Sequence, residues 1–182
     1  YKEFIGNGTL KQVEYLLEFT GGVPPEGLNY YHKKFLKLYN RDPLSKTVCF
    51  NGVNNALEAL KLMGCRLSLC TQKFSEPATI ILDGLDLTRH FDGFAFGDSL
   101  DVLKPDSRMV ELATSDHGTG QLFYIGDSEV DAQTAKNSKA KFLLFLHGYR
   151  KKSVDEINPV AVFSDYKTVP SLIKSFISEK LS

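Results

Sequence analysis

The sequence is short of the features that would commit it to a membrane, a disulfide framework or a polyanionic partner. No apolar run approaches the roughly 20 residues a membrane span needs. Residues 1–20 carry no basic stretch followed by an apolar one, so the secretory signal pattern is missing. The three cysteines, Cys49, Cys65 and Cys70, form no short paired spacing with histidines, and an odd count argues against a disulfide scaffold. Excess charge is missing too. Lys and Arg total 22 against 22 Asp and Glu, so long-range attraction recruits neither nucleic acid nor an anionic membrane surface. Repeats and low-complexity segments are absent. What is there is 182 residues, 42% hydrophobic and 24% charged, enough to bury one substantial core with a small appended lobe. The expectation is a soluble protein of a reducing cytoplasm, monomer or homodimer, binding no nucleic acid and no membrane.

Hydrophobic periodicity divides the chain near residue 43. Leu10, Val13, Leu16 and Leu17 recur at helical spacing between Thr9 and Phe19, with Gly21-Gly22 as the stop. A second helix is predicted to open at Pro24-Pro25-Glu26, to present Leu28, Tyr31, Phe35 and Leu38 on one side, and to break at Asn40 to Pro43. These two form a helical lobe over residues 1–43. Beyond it the period switches. Helices are predicted at 52–63, 75–84, 106–114, 129–138 and 168–180, and strands at 65–71, 91–96, 121–125, 140–146 and 160–164. Such alternation predicts an α/β domain over 44–182, a Rossmann-like parallel sheet with helices on both faces.

In open parallel sheets ligands bind beyond the carboxyl ends of the strands. Those ends read Thr71-Gln72-Lys73, then Lys104-Pro105-Asp106, then Gly126-Asp127-Ser128-Glu129-Val130-Asp131. Asp127 and Asp131 fall about one helical turn apart. Like charges at that spacing cost about 0.2–0.5 kcal/mol on an exposed helix, and more where water is excluded. A divalent cation is a natural compensator, and Mg²⁺ suits a pair of carboxylates beside a phosphate. The competing reading makes Asp127 or Ser128 only an N-cap, with Glu129 favourable to the helix dipole. Thr71 and the following backbone N–H groups suit a phosphate at the start of the next helix, or merely a turn. Lys104 precedes Pro105, in the extended conformation proline favours for its predecessor. From there it can offer a point charge to a phosphoryl group, although most lysines are simply solvated. His32, among Tyr30, Tyr31 and Phe35, reads as an interfacial helix residue, and His147 as structural. His90 and His117 read as surface residues, Cys70 as a small buried hydrophobe.

Together these elements resemble, in order and spacing, motifs two, three and four of the haloacid-dehalogenase superfamily. They are Thr71 after a hydrophobic strand, Lys104 before Pro105, and Gly126-Asp127 followed by Asp131. Tyr124 to Ala132 and Gly148-Tyr149-Arg150 resemble its phosphoglycolate-phosphatase-like branch. Ile5-Gly6-Asn7-Gly8 and the helices after it resemble part of that branch's helical cap, so the resemblance covers nearly the whole chain. It implies a Mg²⁺-dependent phosphatase acting on a small phosphorylated metabolite, with 2-phosphoglycolate the candidate. Thr71, Gln72 and Lys104 would hold the substrate, Asp127 and Asp131 the metal, and catalysis would rest on Thr71, Lys104 and Asp127. Gln72 stands where the branch commonly has Asn, and Asn137-Ser138 where it has small residues.

In the resembled family the nucleophile is the first aspartate of a strand-ending Asp-x-Asp pair. No aspartate occurs here before Asp42, and Gly6-Asn7-Gly8-Thr9-Leu10 carries no carboxylate and reads as a cap turn. That strand lies mid-sheet in the family. Omitting its five or so buried residues, at about 1.5–3 kcal/mol each, forfeits roughly 8–18 kcal/mol, against a typical stability of about 5–15 kcal/mol. The first residue is Tyr1 rather than Met. The expectation is that an N-terminal segment of a longer native product, or another chain, supplies the strand. The alternative is a non-catalytic relative that keeps the fold and binds a phosphorylated ligand or partner; a phosphomutase is a third reading.

Overall fold

The structure, a computed structural model, describes residues 8–178. Two helices, α1 (Gly8–Phe19) and α2 (Leu28–Tyr39), pack against one another ahead of the α/β part. The second starts later than the prolines suggest. Gly27, with φ of 82°, is its N-cap, and the Gly27 N–H closes a turn on the Pro24 carbonyl, so Pro24 and Pro25 sit in that turn and not in the first helical turn. A hydrogen bond of 2.8 Å between Thr9 Oγ1 and His32 Nε2 ties the pair, the interfacial place expected for His32. Of the cap turn expected over Gly6 to Leu10, residues 6 and 7 lie outside the described residues and Gly8 to Leu10 instead open α1; positions 179 and 180 of the closing helix also lie outside.

The alternating part runs α3 (Val53–Leu62), β1 (Ser68–Cys70), α4 (Ser75–Gly84), β2 (Gly93–Ala95), α5 (Arg108–Ala113), β3 (Phe123–Gly126) and α6 (Glu129–Asn137). It continues through β4 (Lys141–Phe145), α7 (Val154–Ile157), β5 (Ala161–Phe163) and α8 (Val169–Ser178). All strand pairs are parallel. Strand β4 shows why this is a covered sheet. Side chains alternate across a strand, and Leu143 and Phe145 join Leu60, Phe163, Val169 and Ile173 on one face. On the other, Phe142 and Leu144 join Val110, Tyr124 and Ala135. Helices α3 and α8 therefore cover one face, α5 and α6 the other. No helix among the described residues is long and apolar enough to cross a membrane.

One feature departs from the single sheet expected. The strands fall into two groups, β1–β2 and β3–β4–β5, with no pairing between β1 and β3. The Leu67 carbonyl and Thr71 N–H bond toward β2, and the Leu122 carbonyl bonds toward β4. Backbone groups alternate edges along a strand, so Ser68 and Cys70 on β1, and Phe123 and Ile125 on β3, present theirs away from those neighbours. These four residues are only half-buried, whereas four of the five in β4 are buried. Yet Cys70 packs against the cluster containing Tyr124. The two open edges belong to one layer, and no described strand joins them.

Two histidine expectations are corrected. His90 is 2% exposed, drawn inside by the short 3₁₀ turn Thr88–His90. His117 is half-buried, its Nε2 lying 2.6 Å from Ser68 Oγ. His147 is exposed, edge-on to Phe145 at 5.6 Å.

Candidate active site

Strand β3 ends at Gly126, and Asp127 and Ser128 bridge it to α6. Ser128, in the extended conformation, is the N-cap: its Oγ accepts from the Asp131 N–H. That settles which residue caps the helix and leaves Asp127 free of the task. Asp131, in the first turn, is 6% exposed and fully engaged. Its Oδ1 accepts from Lys104 Nζ at 2.7 Å; its Oδ2 accepts from Ser128 Oγ at 2.6 Å and from the Asp127 N–H at 3.1 Å. Burial alone would push this carboxyl up, but the Lys104 ammonium and the converging donors hold it below the ordinary carboxylate range. Asp127 goes the other way. Burial, followed by the negative charge of Asp131, raises it, against the opposing pull of the Tyr149 N–H, 3.2 Å from Oδ2.

Two glycines make room for this pair. A Cβ on Gly126 would lie 2.4 Å from Asp131 Cβ, and one on Gly148 would lie 2.1 Å from both Cβ and Oδ2 of Asp127. Neither distance is compatible with a real side chain.

Lys104 is brought in by a loop after β2, in the turn that the Asp106 N–H closes on the Leu103 carbonyl, with a cis Lys104–Pro105 peptide. The loop is tied on both sides: Asn137 Nδ2 donates to the Pro105 carbonyl at 2.7 Å, and Gln72 Nε2 to the Lys104 carbonyl at 3.3 Å. Two of the three residues that depart from the resembled pattern, Gln72 and Asn137, thus position this loop, while Ser138 bonds back to the Thr134 carbonyl of its own helix. Thr71, at the end of β1, accepts from the Lys73 N–H at 3.1 Å, so its own hydroxyl proton is available to a ligand. At the start of α4 the Ser75 N–H and hydroxyl are taken by Asp98, at 2.8 and 2.7 Å.

Thr71, Gln72, Lys104, Asp127 and Asp131 all line one cavity of about 360 Å³, roofed by Gly8, Thr9, Gln12, Leu36 and Tyr39 of α1 and α2. Sequence reasoning gave no ligand-facing role to the side chains of Lys73, Ser128, Gln12 or Tyr39, which also line it; the phase of α1 and α2 gives no hint of which side faces a ligand. Tyr166 was likewise missed. Packed against Phe145 and Phe163, it is pushed up to about 12 by burial and then by the charges of Asp127 and Asp131. Cys70 beside Thr71 is raised by burial, which leaves its thiol protonated and a poor nucleophile.

Among the described residues no cluster of three or more His, Cys, Asp or Glu forms a ready metal cage. Asp127 nevertheless fits a hard cation. It is a half-buried carboxyl beside a second carboxylate, raised by burial and then by that neighbour's charge, and a divalent ion would offset both.

Comparison with known proteins follows the same lines. Residues 3–145 match the family model of the haloacid dehalogenase-like hydrolases. A phosphoglycolate phosphatase from Rhodobacter capsulatus is 34% identical over 177 residues, 96% of this chain and 80% of that protein. Another, from Cereibacter sphaeroides, is 32% identical over 96% of this chain and 81% of its own length. The crystal structure of a predicted phosphoglycolate phosphatase from Haemophilus somnus superposes with a TM-score of 0.84 at 21% identity, over 94% of this chain and 80% of that one.

Proposed function

This chain belongs to the haloacid dehalogenase-like hydrolases, and from that premise we propose that it serves a Mg²⁺-dependent phosphomonoester hydrolase acting on a small phosphorylated metabolite, with 2-phosphoglycolate the leading candidate. One observation carries this reading: a fixed ammonium, a free hydroxyl and a pair of carboxylates of opposite protonation tendency share one cavity at the strand ends. Lys104, held at 2.7 Å from Asp131, is a point charge that needs no reorganisation when negative charge builds on a phosphoryl oxygen. Thr71 donates its hydroxyl proton to a second oxygen. Asp127, supported by Asp131, would hold the cation, whose contribution when bound is to neutralise phosphoryl oxygens and the carboxylates around them. Helices α1 and α2 cover the cavity, exclude water and shape the space for the leaving group.

The acceptor of the phosphoryl group is not among the lining residues: Asp131 is committed to Lys104, and Asp127 to the cation. We place it on a further extended segment between β1 and β3, whose inner edges open beside the same cavity. There a strand-ending carboxylate would bond to phosphorus as the ester P–O bond breaks and the leaving group departs as the alcohol, and water would then cleave the aspartyl-phosphate to inorganic phosphate and the free carboxylate. A second reading, a protein that binds a phosphorylated ligand without turnover, is favoured by the same point: among the described residues only Asp127 and Asp131 bring carboxylates to the cavity.

The test is phosphate release by the native gene product from a panel of phosphate monoesters, with and without Mg²⁺. Asp127→Ala should lower Mg²⁺-dependent turnover by about 10²-fold or more. Retained activity would defeat the site assignment; ligand binding with no turnover in the native protein would establish the second reading.

A further inference from the structure

The cavity contains a second cation that the phosphoryl chemistry above does not use. Lys73, half-buried at the cavity wall, places its ammonium over the Tyr39 ring, 4.5 Å from the centroid, and donates to the Tyr39 hydroxyl. It forms no ion pair with a carboxylate among the described residues. Glu76, the nearest acid in sequence, accepts instead from Asn40 Nδ2 at 3.1 Å. Tyr39 is steadied in turn by stacking with Phe35, rings 6.1 Å apart and 10° from parallel. Lys104 is neutralised by Asp131, whereas among the described residues Lys73 meets a ring face and a phenol.

An ammonium removed from much of its water gains most from an anion. A ring face and a neutral hydroxyl hold it in place but leave its charge uncompensated. The position matters as well. The phosphoryl group belongs beside Thr71, Lys104 and Asp127, so the rest of the ester must extend toward the helices, where Tyr39 and Lys73 meet. Resting on the phosphatase reading above, we infer that Lys73 selects substrates whose leaving group carries its own anionic oxygen group, a carboxylate or a second phosphate, by binding that group directly. Tyr39 is the positioning residue that keeps the ammonium aimed into the cavity.

Three esters of similar length separate the possibilities: 2-phosphoglycolate, ethylene glycol bisphosphate and ethyl phosphate, whose far end is neutral. The readout is the ratio of kcat/KM for each anionic ester to that for ethyl phosphate, in the native protein, Lys73→Gln and Lys73→Arg. Loss of a charge-assisted bond should lower the ratio by about ten- to a hundredfold in Lys73→Gln, with Lys73→Arg recovering most of it. Which anionic ester shows the larger drop distinguishes carboxylate from second phosphate. A ratio that changes by less than about threefold, or a loss in Lys73→Gln that Lys73→Arg does not restore, overturns the assignment. If the native protein turns over none of the three, the hydrolase reading fails separately. The same comparison made on ligand-induced Tm shifts then decides Lys73: a shift favouring the anionic esters that disappears in Lys73→Gln supports it, and an unchanged shift overturns it.

Discussion

Asp127 and Asp131 are one chemical type a single turn apart, yet the fold gives them opposite tasks. Lys104, Ser128 and a backbone N–H keep Asp131 ionised, and its charge in turn discourages ionisation of Asp127. The Lys104–Asp131 pair is enclosed, with side chains 13% and 8% exposed. Removing one partner of such a pair leaves a buried charge uncompensated, at a cost of about 3–5 kcal/mol. Lys104→Met should therefore lose about that much stability at pH 7, read by urea denaturation. The sign of the pH effect follows from the lowered Asp131 carboxyl. In the native protein the pair stabilises fully above the ordinary carboxylate pKa, and that contribution fades as pH falls through the lowered folded value. In Lys104→Met the stranded carboxyl takes up a proton earlier, so the difference between the two proteins should shrink as pH drops toward about 4. A penalty that stays constant over that range would refute the ion-pair account.

At the scale of elements, most of the alternation was legible because the α/β part buries strands on both faces and helices on one, which imprints the two periods on the chain. What was lost at the edges has local causes. Gly27 delays α2 past the prolines, and the strands are short because pairing stops where Thr71 and Asp127 turn into the site. Helix α7 was missed altogether, although its signature is present: Ser153 Oγ accepts from the Glu156 N–H at 3.3 Å, and Glu156 reaches back to the Ser153 N–H at 3.0 Å. Four residues carry too little hydrophobic period to register, so the capping box was the one available signal. Because so short a helix has little packing to rely on, Ser153→Ala should cost about 0.5–2 kcal/mol. The loss should concentrate in faster hydrogen exchange across residues 154–158, and unchanged exchange there would mean that the cap is idle. In the site, Thr71, Lys104, Asp127 and Asp131 could be read because each ends or follows a strand. Lys73 and Tyr39 could not, since their meeting depends on how α2 lies over β1.

For the whole molecule the decisive feature is the division of the sheet. If an extended segment of the native protein occupies the space between β1 and β3, the amides of Cys70 and Ile125, which face that space, should be as protected from exchange as those of β4. Rapid exchange at both, in a protein whose β4 amides are protected, would show that no strand enters. The division also concerns more than catalysis. Two parallel strand edges facing one another across an unpaired layer are a template for any extended polypeptide with matching apolar side chains. A chain in which that layer stays unpaired is primed to capture strands from its neighbours, so any segment that filled it would act as a guard against aggregation.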